Sequence, residues 1–113
     1  MIGIDIVKIS RVEKLIEKFG YKALDRFLTQ NEQNILKSPS SIAGFWAAKE
    51  AFSKAIGTGI GKECSFLDIE ILKNEKGKPY FSPKTIQKFN LKKADLSISH
   101  DGGFAIAAVI ILR

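Results

Sequence analysis

The run Leu96-Ser97-Ile98-Ser99-His100-Asp101-Gly102-Gly103-Phe104-Ala105-Ile106-Ala107-Ala108-Val109-Ile110-Ile111-Leu112 decides the fold class. Leu96 to His100 and Phe104 to Leu112 read as two strands joined by Asp101-Gly102-Gly103, a hairpin signal. A second pair precedes it. Phe66 to Leu72 alternates like a strand, with Leu67, Ile69 and Ile71 on one face, and Asn74-Glu75-Lys76-Gly77 is a turn before a returning strand from Lys78 to Phe81. Between the hairpins, Ser82-Pro83 caps a short helix carrying Ile86 and Phe89. At the other end of the chain, Ile2, Ile4 and Ile6 alternate with Gly3, Asp5 and Val7, a strand with one strongly apolar face and Asp5 on the opposite one.

The segment between these strands reads as helices. Ser10-Arg11-Val12-Glu13 has a capping-box pattern, Val12, Leu15, Ile16 and Phe19 form the expected buried stripe, and Gly20 is placed to stop the helix. Arg11, Lys14 and Lys18 fall towards its other side. Tyr21 to Leu28 can form another short helix, and Thr29-Gln30-Asn31-Glu32 is a second capping box opening a helix to about Lys37. Ser38-Pro39 supplies an N-cap with proline at the first position of a helix running to about Ile56, which ends in Gly57-Thr58-Gly59-Ile60-Gly61. Strand, helices, then two hairpins with a helix between them predict an α+β fold with a mainly antiparallel sheet packed with helices. At 113 residues, positions 1–113 are expected to form one small domain.

Composition narrows the function classes. Hydrophobic residues make up 45% of the chain and charged residues 27%, a globular balance. A net charge of +6 favours an acidic partner without choosing which. The single cysteine, Cys64, allows no intramolecular disulfide and no cysteine zinc site, and reads as a small buried side chain in a reducing compartment. The N-terminal run lacks the pattern of a secretory signal, and Phe104 to Leu112 is too short to cross a bilayer as a helix, so a cytoplasmic protein with no membrane partner is expected.

Few residues can carry chemistry. Glu50 and Lys54 stand four apart on one helix face, with Ala43 and Ala47 on the same stripe, leaving room for something to approach. Taken alone they also fit an ordinary exposed ion pair. Asp5, inside an isoleucine-rich strand, either faces water or needs a partner. With Glu50 it would make a two-carboxylate oxygen site of the kind Mg²⁺ uses. His100, the only histidine, fits either a core-edge side chain or a donor to a phosphate or reacting oxygen. The glycine loop at 57–61 follows a helix and lacks a Gly-Lys-Ser/Thr ending, so it is no Walker A motif. Basic and acidic residues are interspersed and no nucleic-acid reading motif appears, which argues against a nucleic-acid-binding module. A non-catalytic structural trimer is a second alternative.

In order and spacing, these segments resemble a bacterial holo-acyl-carrier-protein synthase, the short trimeric class of 4′-phosphopantetheinyl transferases, over essentially the full length. The segments are Gly3-Ile4-Asp5-Ile6-Val7, Phe27-Leu28-Thr29 with Glu32, Ala47-Ala48-Lys49-Glu50-Ala51-Phe52-Ser53-Lys54-Ala55 with Gly57-Thr58-Gly59-Ile60, Phe66 with Asp68-Ile69-Glu70-Ile71, Gly77-Lys78-Pro79 and Ser97-Ile98-Ser99-His100-Asp101. The resemblance implies transfer of 4′-phosphopantetheine from coenzyme A to a serine of apo-acyl carrier protein, releasing 3′,5′-ADP, with Mg²⁺ on Asp5 and Glu50. It implies Lys54 at the coenzyme phosphates, His100 beside the pyrophosphate, and Gly57, Gly59, Ile60, Gly77, Lys78 and Pro79 lining a coenzyme pocket between subunits of a homotrimer. Glu50 is the expected base for the serine proton, directly or through water. Arg11, with Lys14 and Lys18, would meet the acidic carrier protein. The chain departs from the family at Phe45, where relatives usually carry an arginine, and Lys49 is the candidate substitute.

Overall fold

The computed structural model describes residues 1–113. Its elements are β1 (Ile2–Lys8), α1 (Ile9–Phe19), a 3₁₀ helix (Tyr21–Arg26), α2 (Gln30–Ile35), α3 (Pro39–Ile56), a 3₁₀ turn (Phe66–Asp68), β2 (Ile71–Lys73), β3 (Pro79–Phe81), α4 (Pro83–Lys88), β4 (Lys93–Asp101) and β5 (Phe104–Leu112). Both sheets are antiparallel: β1-β5-β4, and the separate β2-β3 pair. The α+β expectation holds, and 24 buried apolar residues form one cluster between the helices and the sheets.

Local chemistry explains most boundaries. Asp101 pairs with Phe104 across Gly102-Gly103, both at positive φ, so the turn takes the twist that suits a hairpin. Ser38 accepts from the Ser41 N–H ahead of Pro39, and Thr29 and Glu32 close a reciprocal capping box at α2. Two other expectations fail. β1 runs directly into α1, so Lys8 is the N-cap and makes no side-chain cap; Ser10 lies inside the first turn and its capping box does not form. Phe66 to Leu72 is not one strand, because Ser65 and Asp68 cap each other into a 3₁₀ turn and leave only Ile71–Lys73 extended. Leu67 is consequently exposed while Ile69 and Ile71 are buried. On α1, Val12 is buried, Leu15 and Ile16 are half-buried and Phe19 is 61% exposed, so the apolar stripe meets the core only near its start.

β1 alternates as expected, but its isoleucine face points away from the core. Gly3 and Val7 are buried against α3, while Ile2, Ile4 and Ile6 are exposed. A Cβ at Gly3 would stand 1.9 Å from the Ala51 carbonyl oxygen, so the missing side chain lets α3 lie directly on the strand. Ala43 and Ala47 are fully buried, as are Ala48 and Ala51. The small-residue side of α3 therefore receives the chain's own sheet and offers no room for a ligand. Across the outer face, Ile2 sits opposite Ile110 and Ile6 opposite Ile106, continuing to the exposed Leu112. That is a contiguous apolar sheet face without cover in a single copy. Cys64 is fully buried, and burial, with Asp68 adding to it, pushes its thiol up to about 11.

Candidate active site

Close packing of α3 on β1 brings the first group together. The Lys54 ammonium donates to Asp5 Oδ1 at 2.9 Å and to the Ile4 carbonyl at 3.1 Å. The Asp5 side chain is 19% exposed and that of Lys54 52%, so the carboxylate is largely withdrawn from water while its cation remains reachable. Glu50, one turn earlier on α3, is half-buried, and none of the chain's salt bridges uses its carboxylate. Asp5 and Lys54 thus meet directly, with Glu50 on the adjoining turn. The loop beyond Lys54 turns sharply: Gly57 and Gly59 have φ of 101° and 69°, and both donate their N–H to the Ser53 carbonyl. Gly57 is exposed, and Gly59 and Ile60 are half-buried beside this end of α3.

A second group lies toward the start of α3. His100, Gly77, Pro79, Phe45, Ser41 and Lys73 line a cavity of about 220 Å³. His100 is exposed and is no core-edge residue, although its row partner Ala105 is buried. Asp5 shares a sheet row with Ala107 and Ile98, and His100 one with Ala105 and Val7, so the two face the same side from opposite edge strands. Two strand spacings and a two-residue offset put them roughly 12 Å apart. Lys78 is turned outside this cavity, onto Asp95 at 3.3 Å. Phe45 and Gly57 are about 18 Å apart along α3 at 1.5 Å per residue. The expected coenzyme-binding residues therefore form two clusters, one at each end of the helix.

The sequence profile of the 4′-phosphopantetheinyl transferase superfamily matches residues 1–109. The chain belongs to the 4′-phosphopantetheinyl transferase superfamily. It is 71% identical to a holo-[acyl-carrier-protein] synthase of Nautilia profundicola across 100% of both chains, and 55% identical to one of Campylobacter hominis over 98% of this chain and 96% of that one. Among solved structures, the holo-[acyl-carrier-protein] synthase of Helicobacter pylori in complex with coenzyme A superimposes with a TM-score of 0.89 at 52% identity, covering 98% of this chain and 99% of that one. The Bacillus anthracis synthase in complex with coenzyme A (3′,5′-ADP) gives 0.82 at 46% identity, over 97% and 93% of the two chains.

In this transferase Lys49 cannot replace the family arginine at Phe45. Its ammonium is fully buried and donates to Glu32 Oε1 at 2.7 Å and to the Phe27 and Phe66 carbonyls at 2.7 and 3.0 Å. Burial holds its pKa below the usual lysine value, and the adjacent Glu32 carboxylate pulls the other way. Lys73, which sequence reasoning passed over, instead stands with its ammonium 5.8 Å from the Phe45 ring centroid. Strand parity carried that signal, since Lys73 shares a face with the buried Ile71. On α1, Arg11 lies over the Trp46 ring at 4.6 Å and Lys18 over Phe19 at 5.3 Å, while Lys14 is exposed between them. Leu15, Phe19, Lys22 and Arg26 line an adjoining groove of about 380 Å³.

Proposed function

We propose that the chain is a single 4′-phosphopantetheinyl transferase domain that moves 4′-phosphopantetheine from coenzyme A to a serine of apo-acyl carrier protein, serving fatty acid biosynthesis in the cytoplasm. The observation that carries this reading is the Asp5–Lys54 contact beside Glu50, in a chain whose full length matches synthases solved with coenzyme A. The serine oxygen attacks the β-phosphorus, its bond to the bridging oxygen breaks, and 3′,5′-ADP leaves. Such a reaction needs in-line positioning and charge neutralisation more than covalent help.

The residues suit Mg²⁺. Asp5 is withdrawn from water and already holds a cation, the Lys54 ammonium, while Glu50 offers a second oxygen donor without an internal salt bridge. One or two carboxylates, with water and substrate phosphates, are what this ion takes. Asp5 and Glu50 would hold it, and when bound it supplies charge neutralisation at the pyrophosphate. Lys54, which is half in water, can swing from Asp5 to a phosphate oxygen. Glu50 accepts the serine proton, and His100 donates to a phosphate from the neighbouring cavity. Gly57, Gly59, Ile60 and Pro79 flank the coenzyme, and Lys78 guards its edge.

Two clusters at opposite ends of α3 favour a site completed by a neighbouring copy, and the uncovered face of β1 and β5 supplies a surface for it. We read the protein as a homotrimer; a native mass near three times 12.5 kDa is expected, and a monomer in dilute solution would remove this arrangement. The activity is tested by incubating the protein with coenzyme A, Mg²⁺ and apo carrier protein. The carrier gains the mass of one phosphopantetheine group, and chelating the Mg²⁺ abolishes the gain. An unmodified carrier under complete conditions sinks the reading.

Arg11, Lys14 and Lys18 form the proposed docking face for the acidic carrier. Stacking on Trp46 fixes Arg11 without neutralising it, and the groove of Leu15 and Phe19 offers apolar contact beside the charges. Arg11→Glu is expected to raise the KM for carrier protein about ten-fold at low salt and less at high salt, since the attraction is screened. A KM unchanged in both buffers would take Arg11 off the docking surface.

A further inference from the structure

The cavity at the start of α3 has an unusual charge inventory. The ionisable side chains in its wall are Lys73 and His100, with the Ser41 hydroxyl beside them and the Phe45 ring and Ile98 as apolar lining; no carboxylate reaches it. Lys73 is exposed and takes part in none of the chain's four salt bridges. An unpaired surface lysine ordinarily extends into water. This one is held over an aromatic ring that is itself 2% exposed and cannot move aside. Its strand parity with Ile71 directs it inward, and pairing of Lys73 with Pro79 across β2 and β3 fixes where the stem starts.

We propose that Lys73 is a coenzyme-binding residue of this transferase, its ammonium holding a phosphate of coenzyme A at the cavity mouth above Phe45 and across from His100. The inference rests on the coenzyme A reading above and adds a residue to it. Two nitrogen donors and a hydroxyl with no competing acid select an anion, and the apolar floor suits a phosphate carried on a flat organic group. A lysine suits this position because a point charge on a flexible stem can follow a phosphate without the fixed fork geometry of arginine.

The test is calorimetric titration of coenzyme A, with Mg²⁺, into the intact protein and its Lys73→Met and Lys73→Arg variants, with steady-state kinetics on the same samples. Loss of one charge-assisted hydrogen bond predicts a Kd and a KM for coenzyme A raised about ten-fold in Lys73→Met. Turnover at saturation and the KM for carrier protein stay within about two-fold, and Lys73→Arg keeps most of the affinity. Repeating the titration with 3′-dephospho-coenzyme A distinguishes the phosphates. A penalty that vanishes assigns Lys73 to the 3′-phosphate, and one that persists assigns it to the pyrophosphate. Wild-type affinity in Lys73→Met overturns the inference and leaves the enzymatic reading standing. A wild-type protein that does not bind coenzyme A takes both down.

Discussion

Glu50→Gln is expected to lower kcat by at least about 10²-fold, the scale of a lost general base, while the unfolding midpoint stays near that of the wild type. Glutamine preserves the volume and a half-buried position on α3, and no salt bridge inside the chain depends on the Glu50 charge. The folded state therefore has little to lose, whereas the reaction loses its proton acceptor and one ligand of the proposed metal. Asp5→Ala and Lys54→Ala should fall as steeply in turnover. Their stability losses should be near 1 kcal/mol or below, because the Asp5–Lys54 pair is half open to water on the lysine side. Raising Mg²⁺ separates the two roles of Glu50: partial recovery marks mainly a metal ligand, and none marks mainly a base. Near-wild-type turnover in Glu50→Gln would retire the assignment altogether.

Sequence legibility followed the range of the interactions involved. The Gly102-Gly103 turn, the Ser38 cap and the Thr29/Glu32 box are settled within four residues, and each was readable. The rule failed where two local signals competed. Ser10 had capping chemistry, but a strand that runs into its helix leaves no cap position for it. The Ser65–Asp68 box lay hidden inside an alternating run and broke it. The direction of β1 had no local signal at all. Isoleucine on one face normally marks the core, yet here the glycine face is inside because α3 must approach to contact at Gly3 and Ala51. At the site, helical spacing gave Glu50 and Lys54, while the partner of Asp5 needed the packing of α3 on β1 to become visible. Lys49 was named as a substitute for its charge alone, and charge says nothing about which side of the helix is buried.

That buried side sets the second large effect. Lys49→Met is expected to destabilise the fold by about 3–5 kcal/mol, the scale for removing one partner of a buried ion pair. Both side chains of the Lys49–Glu32 pair are 0% exposed. The ammonium uses its donors on Glu32 and on the Phe27 and Phe66 carbonyls, and Glu32 also accepts the Thr29 and Ile71 N–H groups at 2.8 Å each. One ion pair thus joins α3 to α2, to the chain after the first 3₁₀ helix, and to β2. Methionine fills the volume but strands a carboxylate in the core, takes the Lys49 donor from the Phe27 carbonyl and leaves the Phe66 carbonyl only the longer Ile69 N–H bond at 3.3 Å. Against a total stability of about 5–15 kcal/mol for a domain, that approaches unfolding. The double variant Glu32→Gln/Lys49→Met removes the stranded charge while an amide oxygen can still accept one backbone N–H, so it should be more stable than Lys49→Met alone, by about 1–2 kcal/mol. Urea unfolding of the three proteins reads both differences. A Lys49→Met midpoint close to the wild type, or a double variant worse than the single, would show that the pair does not hold these elements together. Because Lys49 and Glu50 are adjacent on α3, the anchored lysine also sets the rotation of the helix. Any folded fraction of Lys49→Met should then show reduced turnover per folded molecule, since a rotated α3 shifts Glu50 and Lys54 relative to Asp5 on β1.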